Sequence, residues 1–295
     1  MNSPTSKEDV WTVQSILQWT SGFLQDKGIS APRLESELLL AHARQCQRIH
    51  LYADFDAPLS DDERARMREM VKRRAAREPL AYITGLREFY GREFEIERGV
   101  LVPRPETETL IDVCLEYLAA DSDAHVCEIG VGSGCISVTL ALQRPQLQLT
   151  ATDLSEIALN CAVRNVAKYS LDRRVTIQRA DLFPDNHPLF DGIVSNPPYV
   201  TDGELSDLEP EVSVHEPQDA LVSGADGLDC LRAIISRACD TLKPEGWIAL
   251  EMDPAQCATV TTLLDAEGFG DVKTVQDCFG VDRIVHARRA VSESR

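Results

Sequence analysis

Long apolar runs are missing from this chain. None approaches the roughly 18 consecutive apolar residues that a membrane helix needs. The opening MNSPTSKEDVW has no basic stretch leading into an apolar one, so neither a membrane span nor a secretory leader is expected. Cysteine pairs are missing too. Nine cysteines lie scattered at 46, 114, 127, 135, 161, 230, 239, 257 and 278, without a CxxC. That excludes a disulfide framework and a zinc knuckle, and it fits reduced thiols in a cytoplasmic protein. The six histidines show no ligand spacing, and no metal is expected. There is no internal repeat and no low-complexity tract.

Positive charge is scarce where it would matter most. Residues 1–105 hold 16 Lys/Arg and 16 Asp/Glu, whereas residues 106–295 hold 14 and 32 and so carry the whole net charge of −18. A part this acidic repels a phosphate backbone, which argues against a nucleic-acid substrate.

What is present is a soluble globular composition, 43% apolar and 26% charged over 295 residues. That length suggests roughly two domains. The first part reads as helical. Val10 to Lys27 places Ile16, Leu17, Phe23 and Leu24 near helical spacing, with Gly28 as a C-cap. Pro32 opens a second helix, with Leu34, Leu38, Leu39 and Leu40 as its expected buried face. Ser60 caps a third helix that runs to about Glu78 and ends in Lys72, Arg73, Arg74 and Arg77. Those cations read as a solvated face or, alternatively, a surface for a partner. Residues 80–102 read as short strands around Gly85 and Gly91, a hairpin between domains. Pro105 then begins a helix that reaches about Ala120.

From His125 strands and helices alternate. Strands are expected at 125–129, 147–152, 174–179, 190–195, 246–251, 271–277 and 282–288, and helices at 134–143, 155–169, 226–241 and 254–267. This is the pattern of a doubly wound α/β sheet. The last two strands have only Asp277 to Val281 between them, so they should pair antiparallel.

Candidate site residues fall at the ends of these strands. Glu128-Ile129-Gly130-Val131-Gly132-Ser133-Gly134 follows the first strand and opens a helix; its glycines let backbone turn tightly and approach a ligand. A dinucleotide loop of the G-x-G-x-x-G form would need glycine at 135, where the chain has Cys135. Asp153 ends the second strand, placed to accept both hydroxyls of a ribose. Asp181 follows the third and could accept from an adenine amine, with Leu182 or Phe183 against the ring. Asn196-Pro197-Pro198-Tyr199 follows the fourth. The Asn carbonyl can accept an N–H, proline cannot donate one, and the Tyr ring offers a flat face. Such a site suits a planar nitrogen bearing two hydrogens, and methyl transfer is the reaction expected there.

Jointly these segments resemble the class I S-adenosylmethionine-dependent methyltransferases, in the subgroup that methylates amide or amine nitrogen. Further segments look like the PrmC (HemK) family: Arg77 to Gly85, Glu88-Phe89-Tyr90-Gly91, Val102-Pro103-Arg104-Pro105-Glu106-Thr107-Glu108, Glu216 to Leu221 and Ser223 to Leu228. Two segments depart from that family's pattern, Ser213-Val214-His215 and Met252-Asp253-Pro254.

The resemblance implies a Rossmann-like α/β fold, with a seven-stranded, mostly parallel sheet closed by an antiparallel hairpin and preceded by a small helical domain. It implies a helical substrate-recognition domain at 1–79, a β-hairpin linker at 80–104 and a methyltransferase domain at 105–295. It also implies a monomeric enzyme that methylates the glutamine of the Gly-Gly-Gln motif in class I peptide chain release factors. Glu128, Gly130, Val131, Gly132, Ser133, Gly134, Asp153, Asp181, Leu182 and Asn196 would then face S-adenosylmethionine. Asn196, Pro197, Pro198 and Tyr199 would bind substrate, with Asn196, Pro197 and Tyr199 catalytic. Three alternatives stand beside this: an adenine amino methyltransferase of DNA or RNA, a ribosomal-protein glutamine methyltransferase, and a non-catalytic cofactor-binding regulator.

Overall fold

The computed structural model describes residues 11–290, which divide into one compact unit ending at Gly85 and a second beginning at Leu86. In the first unit, α1 (Val13–Asp26) starts at Thr12, whose side chain accepts from the Ser15 amide in a capping box. Its buried positions are Val13, Ile16, Thr20 and Leu24. Next comes α2 (Pro32–Arg44). Leu39 and Leu40 are fully buried there, but Leu34 and Leu38 are exposed. Four leucines within seven residues cannot share one face at 3.6 residues per turn, and the core takes the pair in phase with Ser36 and Ala43.

The six-residue α3 (Arg48–Ala53) was not expected; it buries only Leu51 and has almost no periodic signal. α4 (Asp61–Ala75) carries the capping box of Ser60 and Glu63 and stops short of Glu78. Of its terminal cations, Lys72 is exposed beside Glu69, whereas the others are tied to partners. Arg74 is buried against Glu35, Arg73 donates to Glu78 at 2.8 Å, and Arg77 donates to the Gly28 carbonyl at 2.8 Å. Buried cations need partners, and here the cluster ties its own unit together. Residues 80–84, read from sequence as strand, form α5 (Leu80–Thr84), closed by Gly85 at φ +75°.

The second unit begins with a hairpin, β1 (Leu86–Phe89) and β2 (Arg92–Glu95), turning at Tyr90 and Gly91, both with positive φ. It is followed by α6 (Thr107–Tyr117), β3 (His125–Ile129), α7 (Cys135–Gln143), β4 (Gln148–Asp153), α8 (Glu156–Lys168), β5 (Val175–Arg179), β6 (Phe190–Ser195), the short α9 (Pro210–Ser213), α10 (Asp229–Thr241), β7 (Leu242–Glu251), α11 (Cys257–Ala266), β8 (Phe269–Gln276) and β9 (Asp282–Arg289). The hairpin is held to α8 by Asn165, which accepts from the Glu95 amide at 2.8 Å and donates to its carbonyl at 2.9 Å.

Among the described residues the main sheet has seven strands in the order β5-β4-β3-β6-β7-β9-β8. The first five are parallel, and β9 is antiparallel to both its neighbours. The final two strands do pair antiparallel, as their short connection requires. Alternation along each strand sends Cys127, Ile129, Ile193, Ile248 and Leu250 into one apolar core with residues of α10 and α11. Glu128 points to the other face, where Ser137 of α7 meets it. Strand order reverses between β3 and β6, and the carboxyl ends of those strands open the crevice where such sheets bind ligands.

Candidate active site

Two loops leave this crevice side by side. Ile129 pairs with Ser195 in register, and the Ser195 hydroxyl donates to the Ile129 carbonyl at 2.7 Å. Beyond them, a Cβ built on Gly130 would lie 4.0 Å from the Asn196 carbonyl oxygen. The glycine loop and the Asn-Pro-Pro-Tyr loop therefore share a wall.

The glycine loop is a backbone structure. Gly130, Gly132 and Gly134 all have positive φ, a region costly for other residues. The Gly130 and Val131 amides both donate to the Thr152 carbonyl, at 2.9 and 2.8 Å, and the Gly132 amide donates to Asp153 at 3.0 Å. Space around Gly132 is open, whereas a Cβ on Gly134 would press on Ala162 of α8 at 3.3 Å. Val131 turns its side chain into a small core with Ala151 and Ala162, so any contact it offers a ligand comes from its backbone. Ser133 is buried, with its hydroxyl unpartnered.

The acids differ sharply in setting. Glu128 is fully buried, and burial pushes its carboxyl up to about 8 against two hydrogen bonds from Ser137. Its Oε1 has no partner. Asp153 is half-buried at the crevice and accepts from the Gly132 and Ser155 amides, leaving lone pairs for further donors. Asp181 is exposed, two residues past β5. Leu182 follows it in a left-handed conformation and packs half-buried against the core. Phe183 does not face the crevice; it is 3% exposed in that core, with the Arg237 guanidinium over its ring.

Asn196 to Val200 line a pocket of ≈ 520 Å³ with Leu101, Arg104, Glu204, Asp253 and Arg283 among its other walls. The Asn196 amide nitrogen donates to Thr107 at 3.1 Å. Among the described residues no backbone amide reaches the Pro197 carbonyl. Burial pushes the Tyr199 hydroxyl up to about 12, so at neutral pH it is an uncharged ring. Gln256 holds the loop from behind, donating to the Tyr199 carbonyl at 2.9 Å. A side chain at Gly227 would collide with that same carbonyl.

Two segments far apart in sequence meet beside the pocket. Glu216, 1% exposed at its side chain, accepts from Arg104 at 2.7 Å and from the Val102 amide at 3.2 Å. Burial raises the Glu216 carboxyl, and Arg104 works against the rise. Thr107, Glu216 and Gln256 escaped the sequence reading as contributors to the site. Thr107 and Glu216 lie in segments that carry the family resemblance, and Gln256 had no signal of its own.

Comparison with known proteins fixes the family. Residues 15–85 match the PrmC N-terminal domain and residues 108–226 the methyltransferase small domain. The chain is 43% identical to the release factor glutamine methyltransferase of Geobacter sulfurreducens over 96% of its own length and 99% of that protein's. The chain belongs to the release factor glutamine methyltransferase family. A second member, from Rhodopirellula baltica, is 38% identical over 97% of this chain and 99% of its own length. A methyltransferase from Pyrococcus furiosus shares the fold, with a TM-score of 0.52 at 18% identity over 69% of this chain and 91% of that one.

The methyl donor of release factor glutamine methyltransferases is S-adenosylmethionine, and the crevice fits it. The ligand carries a cationic amino group, a ribose diol and an adenine amine, all needing acceptors. Glu128 Oε1 is a buried carboxyl oxygen without a partner, Asp153 has acceptor capacity at the crevice, and Gly132 leaves room for close approach. The enzyme is thus an S-adenosylmethionine-dependent protein-glutamine methyltransferase with a class I sheet.

Proposed function

We propose that this enzyme methylates the side-chain amide nitrogen of the glutamine in the Gly-Gly-Gln motif of class I peptide chain release factors, and so tunes translation termination. The observation that carries this reading is the Asn196–Tyr199 wall, shared between a pocket of ≈ 520 Å³ and the glycine loop. Bound S-adenosylmethionine supplies a sulfonium methyl already activated for transfer. Glu128, the loop 130–134, Asp153, Asp181, Leu182 and the Asn196 backbone hold it.

A primary amide nitrogen is a poor nucleophile because its lone pair is delocalised into the carbonyl. The protein's contribution is orientation and exclusion of water. Asn196 Oδ1 and the Pro197 carbonyl accept the two amide hydrogens, which aims the nitrogen at the methyl and favours the transition state, where those hydrogens grow more acidic. Tyr199 and Pro198 pack against the amide plane. The helical unit grips the protein substrate.

The acidic second part of the chain supports a protein rather than a nucleic-acid substrate. The cysteines, all free among the described residues, support a cytoplasmic site of action. We read the active form as a monomer.

The test is to incubate the protein with labelled S-adenosylmethionine and, separately, a release factor, ribosomes and DNA. Label is expected on the release factor alone, and should vanish when its Gly-Gly-Gln glutamine is replaced by alanine. Labelled ribosomal protein or DNA, with an unlabelled release factor, would overturn the assignment.

A further inference from the structure

Residues 277–283 look from sequence like no more than a strand connection, yet they deliver a cation to the pocket beside Asn196. Arg283, the second residue of β9, lines that pocket together with Asn196 and Tyr199. Sheet order puts it there. β9 lies two strands from β6, next to β7, and runs antiparallel to β7. Its first residues therefore share the crevice edge with the carboxyl ends of the parallel strands. The glycine loop and Asp153 belong to β3 and β4, on the other side of β6. Asn196 stands between the two sides.

The Arg283 side chain is aimed from behind. Its Nε donates to Asp277 Oδ2 at 3.3 Å, and the Asp277 side chain is 1% exposed. Asp277 Oδ1 accepts from the Phe279 and Val281 amides at 2.8 and 3.0 Å, so the hairpin turn itself fixes the carboxylate. The Arg283 carbonyl accepts from the Met252 amide at 2.9 Å, which pins the backbone beside β7. Among the described residues Asp277 is the one ion-pair partner of Arg283, and it takes the inner nitrogen. The four N–H donors on Nη1 and Nη2 are left for the pocket.

A Gly-Gly-Gln substrate has a use for such donors. The two residues before the glutamine have no side chains, so that stretch offers only its backbone. Two strand spacings, from β6 to β9, are about 10 Å, and three extended residues span about the same distance. The glutamine's own side-chain carbonyl is the wrong target. A donor there would draw the nitrogen lone pair further into the carbonyl and weaken the nucleophile. The backbone carbonyls beside it can be held without that cost, and a guanidinium presents its donors in a fixed fork.

We infer that Arg283 is a substrate-binding residue that donates to backbone carbonyls of the Gly-Gly segment, and that Asp277 is the positioning residue that aims it. This rests on the glutamine substrate proposed above. Contacts of this kind are made equally in the ground state and the transition state, so they lower KM and leave kcat alone.

Arg283→Met removes charge and donors but keeps the aliphatic stem, and Arg283→Gln repeats the test with a polar side chain. With a release factor as substrate, each should raise KM about tenfold or more, as for a lost hydrogen bond to a charged group. Turnover at saturation, and S-adenosylmethionine affinity by calorimetry, should stay within about threefold. Asp277→Asn keeps an acceptor for the turn amides but removes the charge that holds Arg283. It should raise KM by less, and the double variant Asp277→Asn/Arg283→Met should be no worse than Arg283→Met, because both act through one guanidinium. Unchanged KM in both Arg283 variants, a fall in kcat in place of the rise in KM, or weakened S-adenosylmethionine binding would each overturn the role of Arg283. Losses that add in the double variant would overturn the role of Asp277. A release factor left unlabelled by the wild-type enzyme would overturn the substrate reading itself; a labelled one, with KM unchanged in the Arg283 variants, removes Arg283 alone.

Discussion

Gly130 to Gly134 and Asn196 to Tyr199 leave neighbouring strands, yet the first loop presents backbone, whereas the second presents the Asn196 and Tyr199 side chains beside the Pro197 carbonyl. In the glycine loop three positive φ angles shape the chain, and Val131 turns its side chain into the core. In the second loop the prolines restrict the backbone, and the chemistry proposed for it rests on the Asn196 amide, the Pro197 carbonyl and the Tyr199 ring. The glycine loop needs little behind it beyond Thr152 and Asp153. The second loop is braced by Thr107 and Gln256, from elements distant in sequence. A binding cradle tolerates backbone donors and open space, whereas orienting one lone pair requires a side chain that cannot rotate.

If that contrast is right, substitutions in the two loops should separate binding from turnover. The largest effect is expected at Asn196. Asn196→Ala should lower kcat by roughly 10²–10³, the usual loss for one transition-state hydrogen-bonding group, with S-adenosylmethionine affinity retained within a few-fold. Single-turnover assays and calorimetry on the same preparation check both halves; turnover surviving within a few-fold would erase the contrast.

Asp153 should show the reverse. Asp153→Ala should weaken S-adenosylmethionine by roughly 10–100-fold, from a hydrogen bond to a charged group worth about 1.5–3 kcal/mol, while kcat at saturation changes little. An unchanged calorimetric affinity would remove Asp153 from the cradle.

The smallest effect concerns Glu128, and it is one of stability. Its folded carboxyl is raised to about 8 from an ordinary 4.5. Between those values the folded chain holds a proton that the unfolded chain has released, so stability falls as pH rises, by about 1.4 kcal/mol per pH unit from this group. Glu251, raised to about 7, acts in the same direction over the lower part of the window. Glu128→Gln should therefore flatten the decline, most visibly between pH 7 and 8. Urea unfolding at several pH values checks it; parallel slopes in both proteins would show that Glu128 carries no raised carboxyl.

Much of the sheet unit was legible in the sequence. Strands β3 to β6 fall within a residue of their expected limits because each is a short β-rich run with turn residues or helices on either side. The readings that failed are those where tertiary contacts override local pattern. Residues 80–84 look like strand by composition but close as a helix on Gly85. Arg73, Arg74 and Arg77 look solvent-facing by charge, but they fold onto Glu78, Glu35 and Gly28. Phe183, in reach of a cofactor by position, goes to the core.

The sequence by itself determined which chemistry this protein performs. A glycine loop, strand-end acids and Asn-Pro-Pro-Tyr are local patterns, and each acts within a few residues of its own strand. Only the tertiary structure decided what holds that chemistry in place. Thr107, Glu216 and Gln256 act across 57 to 114 residues of chain. A hydrogen bond over that distance leaves no periodicity for either partner to show; it exists only once the strands have paired and the helices have packed.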